Sequence, residues 1–438
     1  MARTARRPVM RTPRGLRPGV PAWVSLSSYR RRIWSTVEER WFYADGILSS
    51  VSESVVVQFL SIYAITLGAS DAQVGLLAIA NGLAGILALV PGAALAERTP
   101  SRKWVVLAGG GGAGRLAILA MAGVPLLFDD VRTAVYALVA LTFVKSLAGA
   151  ACHPSWVSLL ADIFPIDRRA FCVSQRMLSL TVAAAVAAPI AGVAIRVVGG
   201  TKGFQVAFLA AFAVGLASTY SYARIPERPR APRRERPAGS TRAVLRDAAF
   251  VRYLTATLLL HTSAMVVGPF LAVYLVRDLH AQPGQVGLIA SIEAGGAILG
   301  QFALGLFVAR KASASLFRTL LCTMPFVPLL WLLPRTWWHA ALPSVSGGAA
   351  WAAHNVLSFN LLMEYAPPAN LPRYAAIQQM VILAASFFGP AIGTWVVGVS
   401  DIRTAMLVSA IGRWIAALVL IVPLGAPRPA PPSSTSGG

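Results

Sequence analysis

Glu53 ends a short polar stripe, Gly46, Ser49, Ser50 and Glu53, inside an otherwise apolar run. The spacing i, i+3, i+4, i+7 puts all four on one face of a helix. A carboxylate so placed can carry a proton, act as counter-ion to a cationic substrate, or sit in a permanent ion pair with a neighbouring helix. Lys145 stands in another apolar run and shares a helical face with Thr142, Gly149 and His153. A lysine withdrawn from water can release its proton, which an arginine does not. A Glu53–Lys145 pair that breaks and reforms would therefore move a proton, and a pair that never breaks would only tie two helices. His261, one turn beyond Thr257 and two turns before Gly268, offers a group that titrates near physiological pH; the plainer reading is a hydrogen-bonded core histidine. Glu293 shares a face with Gly296 and Gly300, small residues that admit a close neighbour, and opposite His261 or His354 it would form a second titratable pair. His354, Asn355 and Ser358 make a further polar patch. Arg115 and Arg413 also lie in apolar runs; structural pairing or snorkelling is the expectation for both.

These residues need apolar elements to hold them, and the composition supplies little else. Of 438 residues 56% are hydrophobic and only 13% charged, against about 25% charged in a soluble domain. An ordinary cytosolic enzyme and a disordered chain are both excluded. Runs of about 20 apolar residues suit membrane helices, and twelve are found: 43–68, 72–96, 104–128, 131–156, 176–198, 203–222, 250–276, 283–309, 315–333, 337–363, 374–398 and 402–424. The expectation is an all-α polytopic membrane protein with a basic tail over 1–42, helical bundles over 43–222 and 250–424, a linker over 223–249 and a disordered tail over 425–438. Trp41, Phe42, Trp104, Trp337 and Trp338 fall at run ends, as interfacial anchors do, and Gly109 to Gly112 reads as helix packing rather than a phosphate loop.

The formal charge of +22 invites a nucleic-acid reading, but the positions of the charges decide otherwise. With twelve spans, 30 of the 39 Lys and Arg residues fall on the side that carries both termini and 6 on the other. The positive-inside rule then makes the termini cytoplasmic, in a cell (inner) membrane. No basic–aromatic motif supports nucleic acid as a partner. Cys152, Cys172 and Cys322 have no metal or disulfide spacing, GxxxxGK[ST] is absent, and no metal or other cofactor is implied.

The two halves resemble each other. "QVGLLAIANG" at 73–82 aligns with "QVGLIASIEA" at 285–294, setting Asn81 against Glu293. A different shift pairs His153 with His354, Pro189 with Pro390 and Gly192 with Gly393. Repeated halves place a binding site at their interface near the bilayer midplane, so Asn81 joins the candidates.

Two sets of six spans, a basic central linker and termini on one side resemble the major facilitator superfamily, and three motifs carry the resemblance. Between spans two and three, Glu97, Arg98, Arg102 and Lys103 match that family's acid-and-base loop in type, while Ala93 and Pro100 replace glycines; Gly305, Arg310 and Lys311 form a partial second copy. In the fourth span Leu141, Lys145 and Gly149 keep the spacing of the proton-coupled exporters' motif, with Lys for Arg and Ala148 for Gln. Ala188-Pro189 to Gly192 and Gly389-Pro390 to Gly393 resemble the antiporters' Gly-Pro motif. The resemblance implies spans one, four, seven and ten around a central cavity, Glu97, Arg98, Arg102 and Lys103 as a gating loop, and a likeness to bacterial proton-coupled exporters. The expected activity is alternating-access transport, not enzymatic catalysis: proton-coupled efflux of a small amphipathic or cationic molecule by a monomer, whose partners are protons, substrate and lipid bilayer. The alternatives are proton-coupled uptake of a sugar or other metabolite, and a lipid-moving or sensor protein on the same scaffold.

Overall fold

A computed structural model describes residues 36–163, 166–227, 244–308, 313–367 and 370–421. Most of the basic tail and linker, Arg310, Lys311 and the C-terminal tail lie outside the described residues. Twelve helices run through the described chain: α1 Val37–Thr66, α2 Asp71–Arg98, α3 Arg102–Leu127, α4 Val131–Ile163, α5 Ile166–Val198, α6 Gly200–Ala223, α7 Ala248–Arg277, α8 Pro283–Val308, α9 Ser313–Leu330, α10 Ala341–Tyr365, α11 Leu371–Val399 and α12 Ile402–Ile421. Among the described residues, 11 helices are long and apolar enough to cross a membrane. The one left out, α10, is diluted by Ser344, Ser346, His354, Asn355, Ser358 and Asn360.

The turns are written into the sequence. Ser70 and Gln73 form a reciprocal capping box at the start of α2, and Gln282 with Gln285 repeats half of it at the start of α8, the Gln282 amide donating to Gln285 Oε1 at 2.8 Å. Asp130 accepts from the Thr133 hydroxyl and amide, bonds that hold its carboxyl below its ordinary range. Gly199 and Gly200 turn α5 into α6 with φ of 76° and 52°, where a side chain would be strained.

The halves form two bundles with an unequal contact. One apolar core, built from Phe59, Tyr63, Phe208, Phe270, Tyr274 and Trp331 among others, spans both halves at the end away from the termini. At the termini end the core divides, one cluster around Phe42, Leu159 and Tyr222 and another around Phe250, Tyr253 and Phe317. Glycines at matched positions of the repeat let the bundles approach. A Cβ on Gly75 of α2 would lie 1.8 Å from Thr394 Oγ1 of α11, and one on Gly287 of α8 would lie 2.5 Å from the Ala188 carbonyl of α5. Arg277 at the end of α7 pairs with Asp71 at the start of α2 and donates to the Ala69 carbonyl at 2.9 Å. The molecule is therefore shut at the end away from the termini.

Two boundaries differ from the sequence reading. α5 begins at Ile166, about three turns before the expected start of the span, because hydropathy marks the membrane and not the helix. α3 contains a π-helical stretch, Leu107–Gly114, around its four glycines. Those glycines do pack: Gly109 lies against Ala148 and Cys152, Gly111 against Thr219. The wide turns are tolerated because glycine brings no side chain into them.

Candidate functional site

Between the bundles lies a cavity of about 630 Å³. It begins where the α5–α8 contact at Ala188 ends and extends along Arg176 and Gln301 toward the termini end. Its polar lining includes Ser49, Glu53 and Gln58 of α1, Arg176 and Thr181 of α5, Glu293 and Gln301 of α8, and Trp351 and Asn355 of α10.

Glu53 sits where α1, α3 and α4 converge. Its Oε2 accepts from Lys145 Nζ at 2.6 Å and its Oε1 from Arg115 Nη1 at 3.0 Å. The expected Glu53–Lys145 pair is present, but it is half of a triad. Of the two expectations for Arg115, pairing is met and snorkelling is not: its partner is Glu53. Arg115 also donates to Ser52 Oγ at 3.0 Å and to Ser49 Oγ at 3.1 Å, so the polar stripe of α1 is the bed of a guanidinium. The arginine fits because Gly215 of α6 leaves space: a Cβ there would be 2.7 Å from Arg115 Cδ. The Glu53 side chain remains 39% accessible, that of Lys145 17% and that of Arg115 8%. With all three ionised the triad carries one excess positive charge.

One helical turn-pair before Glu53, Asp45 pairs with Arg176 of α5 at 3.1 Å and accepts from Ser218 Oγ of α6 at 2.8 Å. Arg176 also donates to the Phe42 carbonyl at 2.8 Å, its guanidinium over the Phe42 and Trp156 rings at 4.3 and 5.2 Å. Sequence reading missed this pair. The expected span begins at Arg176, which therefore reads as an end charge, whereas α5 begins at Ile166; Asp45, four residues before Ser49 on the same helical face, was the available signal. Phe42, expected as an interfacial anchor, is 1% exposed and part of this packing. Trp104 and Trp338 are exposed.

The C-terminal candidates assemble differently. His261 and His354 contact each other through their Nε2 atoms at 3.2 Å and pack against Trp351. Both are buried and neither lines the central cavity. The expected pairing of Glu293 with a histidine is overturned: the histidines partner each other, while Glu293 faces the cavity and makes no ion pair or hydrogen bond among the described residues. One turn further toward the termini, Tyr253, Ser358 and Gln378 form a neutral network, with Gln378 Nε2 donating to the Tyr253 hydroxyl at 2.7 Å and to Ser358 Oγ at 3.0 Å. Arg413 of α12 is buried, donates to the Met324 carbonyl at 3.2 Å, and lines a small cavity of about 210 Å³ with Glu293 and Trp351. It has no acidic partner among the described residues.

Asn355 faces the central cavity. Asn81 accepts from Ser146 Oγ at 2.7 Å, one residue from Lys145, but does not line that cavity. In the loop between α2 and α3 the acid that is bound is Glu227, after α6. It accepts from Ser101 Oγ at 2.5 Å and from the Arg102 and Lys103 amides at 2.7 and 3.3 Å. Arg98 is exposed, and the side chain of Glu97 lies outside the described residues. The loop's described bonds stay within its own half. The Arg277–Asp71 bridge at the opposite end is the inter-bundle ion pair among the described residues, which sequence reading missed because both residues read as turn charges.

The Gly-Pro segments divide their work. A Cβ on Gly192 of α5 would lie 2.4 Å from the Pro283 carbonyl of α8, across the bundle interface, whereas one on Gly393 of α11 would lie 2.1 Å from the Val266 carbonyl of α7, within one bundle.

No curated protein matches the chain by sequence. Solved structures match its fold. The nucleoside transporter NupG superposes with a TM-score of 0.71 at 15% identity, covering 88% of this chain and 98% of that one. A bacterial homologue of the iron transporter ferroportin in an inward-facing state gives 0.69 at 14% identity, with 88% and 98% covered. A D-xylose-proton symporter gives 0.67 at 16% identity, with 87% and 96% covered. The model of the Major Facilitator Superfamily matches twice, over residues 46–262 and 253–438. Twelve helices in two related bundles, a cavity between them and this double match establish that the chain is a multi-pass membrane transporter, not an enzyme, and that it belongs to the Major Facilitator Superfamily.

Proposed function

We propose that this transporter exchanges protons for a small cationic or amphipathic molecule by alternating access, exporting it across the cell membrane as a monomer with both termini in the cytoplasm. On this reading the units are the bundles 43–222 and 250–424 joined by the linker 223–249, and the open, split end faces the cytoplasm. The observation that carries the reading is the Glu53–Arg115–Lys145 triad, whose Glu53 lines the central cavity. Arginine keeps its proton, so the proton the triad can exchange lies between Lys145 and Glu53. While that proton is bound the triad is positive and repels a cation. Once it leaves, the triad is neutral and the unpaired carboxylate of Glu293, beside Trp351, is the attractive charge in the cavity. Proton and cation then compete for the same state, which is what exchange requires. The spacing of Leu141, Lys145 and Gly149 supports the exporter reading.

Asn81, beside Lys145 through Ser146, positions the lysine. Asn355 contacts substrate. His261 and His354 support Trp351 and hold the wall of the site. The loop of Glu97, Arg98, Arg102 and Lys103 engages the other bundle only when the cytoplasmic end closes.

A second reading, proton-coupled uptake of a sugar or similar metabolite, is favoured by the amides Gln58, Gln301 and Asn355 around Trp351, a set that suits hydroxyl groups. The full chain in liposomes separates the two. Under the proposal an inside-acid gradient drives a labelled organic cation into the vesicles. Accumulation of a sugar under an outside-acid gradient, with no cation movement, would overturn it.

A further inference from the structure

A second polar cavity, of about 350 Å³, lies inside the N-terminal bundle, walled by α1, α3, α4, α5 and α6. Glu53, Ser49 and Arg176 line both it and the central cavity. Along α3 it reaches from Arg115 to Val106, a rise of about 13 Å toward the termini end. The π-helical stretch makes the room, since Gly110 and Gly111 form part of the wall without side chains. Three buried donors on lining residues, Arg115 Nε, Arg176 Nε and the Tyr222 hydroxyl, have no partner among the described residues. Buried polar atoms of this kind are met by water, and the cavity holds room for several molecules.

We infer that this cavity is a proton route separate from the substrate's, and that the Asp45–Arg176 pair is its relay between Glu53 and the solution at the termini end. The inference rests on the proton-exchange reading of the triad. Asp45 is faced by Arg176 from α5, Ser218 and Tyr222 from α6, Arg115 from α3 and His153 from α4; Lys145 is reached through Glu53. In the outward step Lys145 passes its proton to the Glu53 carboxylate, the resulting carboxyl gives it to a water, and that water passes one of its own to Asp45 Oδ2. The newly neutral Asp45 loosens Arg176. Asp45 then returns the proton to water beside Tyr222 and Trp156, and its carboxylate re-forms the pair. One proton enters and one leaves. Glu53 is thus the carboxyl group that the two routes share, so proton and substrate need not pass each other.

The test uses the full chain in liposomes, with substrate counterflow, which moves no net proton, measured beside pH-driven transport. Two variants address the route. Asp45→Asn keeps the shape and removes the exchangeable proton. Gly110→Leu fills the cavity, and its Cβ meets only Cys152 Sγ, at 3.4 Å. Glu53→Gln serves as the control for the underlying reading. Both route variants are expected to keep counterflow and lose about a hundredfold in the rate of pH-driven transport, the scale of a lost proton-transfer group. If both retain pH-driven transport while Glu53→Gln loses it, the relay is wrong and the triad reading survives; if all three retain it, both are wrong. Loss of counterflow in Asp45→Asn together with normal coupling in Gly110→Leu would assign the pair a structural role and overturn the relay.

Discussion

The N-terminal bundle keeps its interior polar groups as ions and the C-terminal bundle keeps most of its own neutral. In the first, Glu53 is clasped by Arg115 and Lys145, and Asp45 by Arg176. In the second, a histidine meets a histidine and Tyr253, Ser358 and Gln378 satisfy one another. The shared ancestry written in the repeat did not preserve this chemistry: Asn81 stands where the other half has Glu293, and His153 lines a polar cavity where His354 is buried. Ion pairs respond to the arrival of a proton by losing their attraction, whereas neutral networks change little. The division therefore assigns switching to one bundle and shape to the other, with Glu293 and Arg413 as the exceptions that face cavities.

The comparison breaks most directly at the triad. Lys145→Arg keeps the charge and the pair but removes the exchangeable proton, and pH-driven transport is expected to fall about a hundredfold or more. Normal coupling in this variant would move the exchangeable proton off Lys145. Next in size is Arg176→Leu, which strands Asp45 in the interior and is expected to cost about 3–5 kcal/mol, read as a lower Tm in detergent. A Tm within a degree of the parent would mean that the pair is not holding the fold. Gln378→Leu tests the neutral side. It leaves the Tyr253 and Ser358 hydroxyls short of one partner, a loss of about 1–3 kcal/mol, with the pH dependence of transport unchanged; a shifted pH profile would show that switching extends into the C-terminal half. The smallest effect is expected of Arg277→Gln. This bridge is exposed and contributes about 0–1 kcal/mol, enough to raise labelling of a cysteine placed at Gln58 from the side away from the termini. Unchanged labelling would assign closure to the packed helices alone.

Much of the fold was legible because lipid allows little choice: apolar length gave the spans, and charge bias separated the two ends. At the site the legible part was whatever one helix determines. The stripe from Gly46 to Glu53 pointed inward because its polar groups could not face lipid, and Lys145 was a base in another apolar run able to meet it. Arg115 was not legible, because wide turns upstream change the face that α3 presents, and a 3.6-residue count cannot anticipate them. The His261–His354 contact was hidden for another reason: each residue was recognised, but the rotation of α7 against α10 is set by packing that no single run encodes. Arg176 was lost to a boundary, since hydropathy stops at the membrane and helices do not.

The core that both bundles share at one end and divide at the other has a thermal consequence. Opening the shut end wets apolar surface around Phe270 and Trp331, and closing the split end dries other surface that now lines the central cavity, such as Val57. Hydrated apolar area carries heat capacity, so unless the two areas match, the balance between the two states bends with temperature. A mismatch would appear as curvature in the temperature dependence of exchange, and the sign of that curvature would tell which end buries more.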